Sequence, residues 1–456
     1  MKMNLNKVLK RIKPSGKEER DMKGFIEKLL DTSRRLSKNV KPIICGSVEK
    51  NTWLSGKYEL DLFLMFSPDI DKKELEKRGL DLAKKIVKEF KGRFQIAFAE
   101  HPYLRGWAGK FQMDIVPAYE IENPENIKSA VDRTPHHVKF VKMNLKNTDE
   151  ARLLKQFCIA NKCYGADVKT LGFSGYLCEL MIIKYGSFMD CVRDASKWRA
   201  GHIITFDNSS KVEAVQKFKS PLMVVDPVDK NRNVGAAVSI EKFYMFVKAC
   251  KDFIENPKED FFFKKPLKPY TTAEISKKIK ERGTRWFLIT FKRPKIIEDI
   301  LYPQVKRCTK AIEKMLNQND FTVLRSDFFC NNECILVFEM DTWKTPSIWK
   351  NIGPSVYSAH SEEFLKHYGK EKVFIEEENW VVENEKEFTE ALTFLISLIK
   401  KSEKELLERG IPSKIAPAIR KGKIFDGDNA IKHMNKLSKD FKIFIREYFE
   451  KNINVI

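Results

Sequence analysis

The spacing of apolar residues switches repeatedly between a helical and a strand-like period in the first third of the chain. Helical spacing predicts amphipathic helices at residues 17–40 and 72–92. Apolar runs bounded by glycine, proline or the turn SPD predict strands at residues 41–45, 58–66, 93–104 and 110–120. This order of elements predicts a compact α+β domain with a mixed sheet.

Helical patterns then dominate from residue 148 to about residue 260. Residues 174–188 are apolar on nearly all sides, which predicts a buried helix with Ser174 as its N-cap. Beyond the PLKPY linker, strands and helices alternate again. The predicted strands are 284–294, 321–329 and 333–340, and the predicted helices in this part are 303–319, 386–410 and 431–452. A further predicted helix, 240–256, precedes the linker.

Charge indicates the kind of partner. The 456 residues include 84 Lys and Arg against 63 Asp and Glu, a formal net charge of +21. Such an excess favours a polyanionic partner, a nucleic acid or an anionic membrane. A lysine- and glutamate-rich surface also suits a heat-adapted organism, but that alternative does not explain the imbalance. A length of 456 residues also predicts three or four domains.

The same sequence argues against a membrane or secreted location. No apolar run approaches the roughly 20 residues that span a bilayer, and the basic N-terminus lacks an apolar signal core. We therefore predict a cytoplasmic protein whose nine cysteines are reduced. Cys330 and Cys334 lack a second Cys or His pair nearby, which disfavours a zinc site.

Two acidic residues interrupt an apolar strand in the stretch GSVEKNTWLSGKYELDLFLMF. Residues at i and i+2 share a face of a strand, so Glu59 and Asp61 point together while Leu60 and Leu62 face the core. Two neighbouring carboxylates repel, and a divalent cation removes that penalty. Oxygen ligands of this kind suit Mg²⁺, which usually shares its coordination shell with substrate phosphates.

The glycine–serine pair before the acids suggests where those phosphates bind. Gly46 follows a strand and lets the backbone approach a phosphate closely, and the Ser47 hydroxyl adds a donor. Lys50 adds positive charge nearby. We therefore expect a nucleoside triphosphate between this turn and the acidic pair.

A third carboxylate completes the pattern. Asp114 lies in a later apolar strand, where Met113 and Ile115 face the core and leave Asp114 on the opposite side. Three such acids can hold two Mg²⁺ ions about 4 Å apart, which align an attacking hydroxyl with a leaving pyrophosphate. An isolated acid–x–acid pair is common on surface strands, but the whole pattern is typical of the polymerase-beta-like nucleotidyltransferase superfamily.

Further segments resemble the archaeal, or class I, CCA-adding enzymes. They are AEHPYLRGW, MDIVPAYEI, NIKSAVDRTPHHVKF, RLLKQFCIANKCYGAD, GFSGYLCELMIIKYGSF and VVDPVDKNRNVGAAVS, with a looser match in NIGPSVYS and RGIPSKIAPAIRKG. The resemblance implies template-independent addition of C, C and A to the 3′ end of tRNA from CTP and ATP. It also implies contacts with the tRNA acceptor stem and T-arm, and a homodimer.

The resemblance further implies an architecture of head, neck, body and tail, with the tail inserted into the body. We expect a polymerase-beta-like catalytic head at residues 1–145 and a helical, nucleotide-binding neck at 146–260. The α/β body is then expected at 261–305 and 386–456, and the tRNA-binding tail at 306–385.

Site residues follow from the same matched motifs. Glu59, Asp61 and Asp114 match the metal-binding carboxylates, and Ser47 and Lys50 match phosphate-contacting positions. The family usually has arginine where this chain has Lys50, so the positive charge is kept and the bidentate geometry is lost.

Four further positions match nucleotide-contacting residues of the family: His137, Lys155, Tyr164 and Arg232. Each also has a plain structural interpretation. The histidine fits a turn, the lysine a solvated helix face, the tyrosine a core, and the arginine an ion pair with Asp229.

Several alternative functions share part of this pattern. A poly(A) polymerase has the same acids but makes a long tail, whereas a small-molecule nucleotidyltransferase has a shorter chain. A non-catalytic RNA-binding scaffold has no need of three clustered acids. The arginine and aspartate motifs that read bases in the other class of CCA-adding enzyme, RRD and EDxxR, are absent from the sequence.

Overall fold

The computed structural model describes residues 3–98, 102–207 and 216–450. The chain forms two compact units, the first extending to Pro266 and the second beginning at Leu267. Mixed helices and strands in several domains confirm the predicted α+β class. Among the described residues, no helix is both long enough and apolar enough to cross a bilayer.

The first unit contains a five-stranded mixed sheet in the order β1-β2-β5-β4-β3. Strands β2 and β5 are parallel, and the other neighbouring pairs are antiparallel. The elements up to the end of this sheet are α1 (Leu5–Ile12), α2 (Gly16–Leu36), β1 (Lys41–Cys45), α3 (Gly46–Glu49), β2 (Glu59–Phe66), α4 (Lys72–Glu89), β3 (Arg93–Phe98), β4 (Pro102–Ala108) and β5 (Phe111–Tyr119).

The two faces of this sheet differ along the strands. One face packs against α2 and α4 and buries Leu60, Leu62, Met113 and Ile115, as predicted from the strand period. On the other face, Phe63 and the neighbouring apolar residues at the C-terminal ends of β2 and β5 form a small core under α5. The acidic residues lie at the N-terminal ends of the same strands, outside this small core. Their positions on the strands therefore bring the carboxylates together.

A helical cluster completes the first unit. It contains α5 (Arg133–Asn144), α6 (Thr148–Ala160), α7 (Gly175–Tyr185), α8 (Phe188–Ala195), the short parallel pair β6 (His202–Ile204) and β7 (Leu222–Val224), and α9 (Ile240–Glu255). Helix α7 is buried and capped by Ser174, as predicted. Val8 and Ile12 of α1 also pack into this cluster.

The second unit has an antiparallel sheet in the order β14-β8-β10-β9 and a three-stranded antiparallel sheet in the order β11-β13-β12. Its strands are β8 (Arg285–Lys292), β9 (Val323–Cys330), β10 (Glu333–Met340), β11 (Ile348–Ser355), β12 (Val373–Glu376), β13 (Asn379–Glu385) and β14 (Lys423–Asp426). Its helices are α10 (Thr272–Arg282), α11 (Glu298–Gln318), α12 (Ser361–Tyr368), α13 (Ala391–Lys400), α14 (Glu403–Glu408), α15 (Ala416–Ile419), α16 (Gly427–Lys436) and α17 (Lys439–Phe449).

The predicted single strand at 93–104 was wrong. β3 ends at Phe98, β4 begins at Pro102 after residues outside the described ranges, and β4 then continues to Ala108. The inward positions at the end of β4 are Gly106 and Ala108, which give no apolar alternation. A Cβ on Gly106 would lie 2.7 Å from a methyl group of Val87, so close packing explains the small residue.

The predictions of single long helices at 386–410 and 431–452 were also wrong, because each of these regions contains two helices. Ser402 forms a capping box with Glu405 and starts α14 just after α13 ends. Ser438 likewise caps α17 just after α16 ends at Lys436. The strands β11 to β14 and the helix α1 were not predicted, because their apolar signals are short.

Gly79 of α4 lies where this helix packs closely against strand β5 of the five-stranded sheet. A Cβ there would lie 2.3 Å from the Pro117 ring of β5. We expect Gly79→Ala to lower the free energy of unfolding by about 1–3 kcal/mol, measured by urea denaturation. Gly24→Ala in α2 is the control, since nothing lies within 4 Å of the added methyl group. Greater helix propensity should make that variant slightly more stable, and equal losses in both variants would contradict the packing argument.

Candidate active site

The predicted acids lie side by side at one end of the sheet. Asp61 of β2 is directly opposite Asp114 of β5 in the parallel ladder, and Glu59 lies two residues before Asp61 on the same strand face. On the other side of β5, Asp114 is directly opposite Arg105 of β4. A lateral row of Asp61, Asp114 and Arg105 therefore crosses three strands.

Asp61 bears the strongest repulsion in this row. Within the described part of the chain, its carboxylate makes no hydrogen bond or ion pair. Burial and repulsion from Asp114 and Glu59 outweigh the attraction of Lys50 and Arg105, and the pKa of Asp61 rises to about 6.

Gly46 lies directly over the Asp61 carboxylate. Its φ is +70°, and a Cβ at this position would lie 1.7 Å from the Asp61 Oδ2 atom. Only glycine is compatible with this approach and this backbone conformation. Gly46 opens the single turn of α3 that carries Ser47, so the glycine–serine turn and the acids are one structure.

Asp114 is held by an arginine that the sequence pattern did not predict. Arg105 Nε donates to Asp114 Oδ1 and Arg105 Nη2 donates to Oδ2, both at 2.7 Å. Arg105 Nη2 also donates to the Tyr103 hydroxyl at 3.0 Å. Asp114 is therefore neutralised by a bidentate ion pair, whereas Asp61 is not.

Lys50 and Lys155 converge on one buried carboxylate, that of Glu179 in α7. Lys155 Nζ donates to Glu179 Oε1 at 2.7 Å, and Lys50 Nζ donates to Oε2. Thr52 donates its hydroxyl to Glu179 and accepts a hydrogen bond from Lys155 Nζ at 2.8 Å. Two ammonium groups sharing one carboxylate leave this cluster with a net charge of +1, next to the acidic row.

Burial and ionic attraction have opposite effects on the pKa values of this cluster. Burial alone would raise the pKa of Glu179, but attraction to Lys155 and Lys50 brings that pKa down to about 2. Burial lowers the pKa of Lys155, and the neighbouring Glu179 opposes that shift. The predicted solvated-helix interpretation of Lys155 was wrong, since this residue is only 2% exposed.

His137 and Arg232 converge on a second buried carboxylate, that of Asp226. His137 Nε2 donates to Asp226 Oδ2 at 2.9 Å, and Arg232 Nη1 donates to the same oxygen at 2.7 Å. Tyr176 donates its hydroxyl to Asp226 Oδ1 at 3.1 Å, and its ring stacks on the His137 ring at 4.1 Å. The suggested pair of Arg232 with Asp229 was wrong, because the Asp229 carboxylate accepts from Arg133.

The protonation of this second cluster follows from the hydrogen bonds. Burial opposes ionisation of Asp226, but hydrogen bonds from His137, Val228 N–H and Arg232 bring its pKa down to about 2. Burial lowers the pKa of His137 below its ordinary value, although the hydrogen bond to Asp226 opposes this. A neutral His137 that donates through Nε2 keeps Nδ1 as an acceptor.

Direct contacts join the predicted residues into one site. Lys50 Nζ lies 5.6 Å from the centre of the Tyr176 ring, which links the two carboxylate clusters. A Cβ on Gly175 would lie 3.0 Å from the Tyr164 hydroxyl and 3.5 Å from Lys155 Cε, so these two side chains approach the same point. The structure thus gathers residues that are up to 186 positions apart, from Gly46 to Arg232.

The residues fit a divalent cation in their chemistry. Glu59 and Asp61 offer carboxylate oxygens without a partner among the described residues, and a cation there would offset the burial and repulsion that raise the pKa of Asp61. Among all the residues that the structure describes, no three Asp, Glu, His or Cys side chains are already arranged to hold a metal ion.

Comparisons with known proteins agree with this geometry. The model of the nucleotidyltransferase domain matches residues 26–137, that of the tRNA nucleotidyltransferase second domain matches 149–263, and that of the CCA-adding enzyme C-terminal domain matches 282–427. The CCA-adding enzyme of Methanosarcina acetivorans is 34% identical over 97% of this chain and 97% of its own length. The chain belongs to the CCA-adding enzyme family. The predicted resemblance is therefore confirmed, and this family member is a tRNA nucleotidyltransferase.

Other CCA-adding enzymes show similar agreement. That of Archaeoglobus fulgidus is 37% identical over 84% of this chain and 86% of its own length. The enzyme of Methanococcus maripaludis is 39% identical over 78% of this chain and 82% of its own length. Divalent metal ions are general cofactors of nucleotidyltransferases, in keeping with the unpaired carboxylates of this site.

Solved structures give a weaker likeness. A cytoplasmic RNA terminal U-transferase aligns with a TM-score of 0.45 and 15% identity, covering 57% of this chain and 98% of its own. The Cid1 poly(U) polymerase aligns with a TM-score of 0.46 and 14% identity, and the alignment covers 57% of this chain and 97% of the Cid1 chain. At these scores the likeness carries no weight for the function of the CCA-adding enzyme described here.

Three charged residues of the site were not predicted from the sequence: Arg105, Glu179 and Asp226. Glu179 and Asp226 lie in apolar segments, YLCELMII and MVVDPV, where a lone acid needs a buried partner. A lone acid in an apolar segment is therefore a sequence signal for such a buried partner. Arg105 carries no such signal, because a single arginine in a short strand is unremarkable.

The strain on Asp61 predicts a pH-dependent stability in the absence of metal. Its raised pKa means that ionisation of this side chain destabilises the folded state as pH rises from about 4 through about 6. In EDTA at pH 7.5 we expect Asp61→Asn to be more stable than the parent by on the order of 1–2 kcal/mol, in urea unfolding. The difference should disappear below about pH 3, where the carboxyl group is protonated in both states.

Asp114→Asn is the matched control for that comparison. It removes a carboxylate that Arg105 neutralises, so it should be less stable than the parent at pH 7.5. If both variants lose stability at this pH, the acids do not repel one another as the geometry implies.

Proposed function

We propose that this CCA-adding enzyme completes and repairs the 3′-terminal CCA of tRNA, without a template, from CTP and ATP. The observation that carries the proposal is the acidic row of Glu59, Asp61 and Asp114 beside the buried Lys50 and Lys155 pair. The negative charge suits divalent metal ions, which activate the attacking RNA hydroxyl, whereas the adjacent net positive charge suits a triphosphate. The names of the relatives, CCA-adding enzymes, support the choice of tRNA as substrate.

Glu59, Asp61 and Asp114 would hold two Mg²⁺ ions. When bound, such ions activate a hydroxyl nucleophile and stabilise the charge that develops on the phosphates during nucleotidyl transfer. The protein orients these carboxylates through the strand period and the β2–β5 register. Gly46 closes over Asp61 and limits the movement of its carboxylate.

The triphosphate is assigned to the turn and lysine cluster. Gly46 and Ser47 supply a close backbone approach and a hydroxyl donor, and Lys50, Lys155 and Tyr164 supply charge and a further donor. Glu179 orients both ammonium groups, because each of its oxygens accepts from one of them. These donors stabilise the negative charge of the leaving pyrophosphate.

The nucleoside is assigned to the second cluster. Arg232 is partly exposed, and Asp226 holds its guanidinium through Nη1, so its other N–H donors stay available to a base. His137 has its Nδ1 acceptor available for a ribose hydroxyl. Tyr176 stacks on His137 and fixes the plane of the imidazole ring.

The charge surplus is assigned to tRNA. The acceptor stem and T-arm form an A-form rod that proteins recognise by shape and phosphate contacts. Exposed lysines of KRPK and RKGK in the second unit, Lys292, Lys295, Lys421 and Lys423, are candidates for those contacts. The division into head, neck, body and tail, the homodimer and the cytoplasmic location remain proposals that rest on the family resemblance.

Two other functions make different products. A poly(A) polymerase acting on a tRNA primer would add a long tail, whereas a CCA-adding enzyme stops after three nucleotides. A non-catalytic scaffold would release no pyrophosphate, and it would gain stability by losing the strained Asp61. Retention of that acid therefore favours catalysis.

Asp61→Ala tests the catalytic assignment. Incubated with Mg²⁺, CTP, ATP and tRNA lacking its last three nucleotides, the parent should add three residues and stop on a sequencing gel. The variant should incorporate CMP at least about 10³-fold more slowly, since metal binding supplies several kcal/mol of transition-state stabilisation. Asp31→Ala, an exposed site on α2, should match the parent. Incorporation near the parent rate by Asp61→Ala, or a long homopolymeric tail, would contradict the assignment.

Salt dependence tests the electrostatic contribution to tRNA binding. If four phosphates are neutralised, affinity should fall about 100-fold between 50 and 200 mM salt in a filter-binding titration. Replacing Lys421 and Lys423 with Gln should reduce the slope of log K against log salt by between one and two. The matched control replaces Lys77 and Lys91, which are exposed at the sheet-packing helix α4 and the turn after it. A flat response to salt would argue against phosphate recognition.

A further inference from the structure

The Arg105–Asp114 pair combines several features that suggest more than a structural role. The two residues are directly opposite on antiparallel strands, and both carboxylate oxygens accept from the guanidinium at 2.7 Å. The side chains are 32% and 19% exposed, so solvent screens the pair only in part. The Tyr103 hydroxyl accepts a third hydrogen bond from Arg105 and restricts its rotation.

The pair places a fixed positive charge at one end of the acidic row. Asp61 lies on the other side of Asp114 from Arg105, and Glu59 lies two residues before Asp61 on the same strand. Three carboxylates and one guanidinium leave a net charge of −2. This negative charge is concentrated on Glu59 and Asp61, which lack any such partner among the described residues.

We propose that Arg105 is a positioning residue that competes with divalent cations for the Asp114 carboxylate. The inference rests on the proposed role of Asp114 as a metal ligand. A cation that uses Asp114 must either displace the guanidinium or bind the remaining lone pairs a few ångströms from a positive charge. Both routes weaken cation binding at Asp114 relative to binding at Glu59 and Asp61.

This competition orders the assembly of the site. Cations bind first where negative charge is unpaired, at Glu59 and Asp61. A cation at Asp114 binds firmly only after the nucleotide triphosphate adds negative charge to the same region, because that charge offsets the repulsion from Arg105. Arg105 thus makes occupancy of Asp114 depend on the substrate while holding the carboxylate in one rotamer.

The test is Mn²⁺ binding to the nucleotide-free protein, measured from the free-Mn²⁺ signal in electron paramagnetic resonance. Arg105→Gln and Arg105→Met both remove the charge, and each should bind Mn²⁺ about tenfold more tightly than the parent. Arg105→Lys keeps the charge and loses the bidentate geometry, so its affinity should stay within about threefold of the parent. Circular dichroism confirms folding of each variant, and the two neutral variants provide independent readings.

The outcomes separate this inference from the proposed function. With a non-hydrolysable CTP analogue bound, which is the condition in which Asp114 is expected to hold a cation, Asp114→Asn should weaken Mn²⁺ binding. If it binds Mn²⁺ like the parent under that condition, Asp114 is not a ligand and the proposed metal site itself is wrong. If Asp114→Asn weakens binding but both neutral variants bind as the parent does, or more weakly, competition by Arg105 is overturned while the metal site stands. Tighter binding by Arg105→Lys equal to that of the neutral variants would also overturn it, because charge would not be the cause.

Discussion

Repulsion between carboxylates on one face of a sheet is the constraint on which this site depends. One face of strand β2 is apolar along its whole length, whereas the other face is apolar only beyond Asp61. Because the first face is buried in the core, Glu59 and Asp61 must share the second face. The parallel register then places Asp114 next to Asp61. The fold tolerates the repulsion because buried apolar layers on both sides of the sheet hold the strands in place.

Cations of the protein surround this repulsion without cancelling it. Arg105 neutralises Asp114 from the neighbouring strand, and Lys50 acts on Asp61 from the turn after β1. The lysine is itself shared with Glu179, so its charge is only partly available to the acids. The result is a site that is negative where metal is expected and positive where a triphosphate is expected, within one compact unit.

The sequence predicted the acids well, because a strand has a strict period of two. Once the apolar residues of β2 and β5 were assigned to the core, Glu59, Asp61 and Asp114 had to lie on the other face, and they do. It predicted the partners of those residues poorly. Arg105 lies in a strand whose last two inward positions are glycine and alanine, and Glu179 contacts Lys50 from 129 positions away. Such pairings depend on strand order and helix placement, which periodicity does not encode.

The same limit applies to Lys50, whose buried partner the sequence did not predict. Against the arginine usual in the family, a lysine loses bidentate recognition of phosphate. In the structure, however, Glu179 must serve three donors, with Oε2 accepting from Lys50 and Oε1 from Lys155 and Thr52. The Lys50 ammonium group contacts a single oxygen of Glu179 and leaves the other to Lys155 and Thr52. A guanidinium fork favours both oxygens of a carboxylate, so an arginine at this position would compete with those donors. The lysine at position 50 is therefore suited to sharing Glu179.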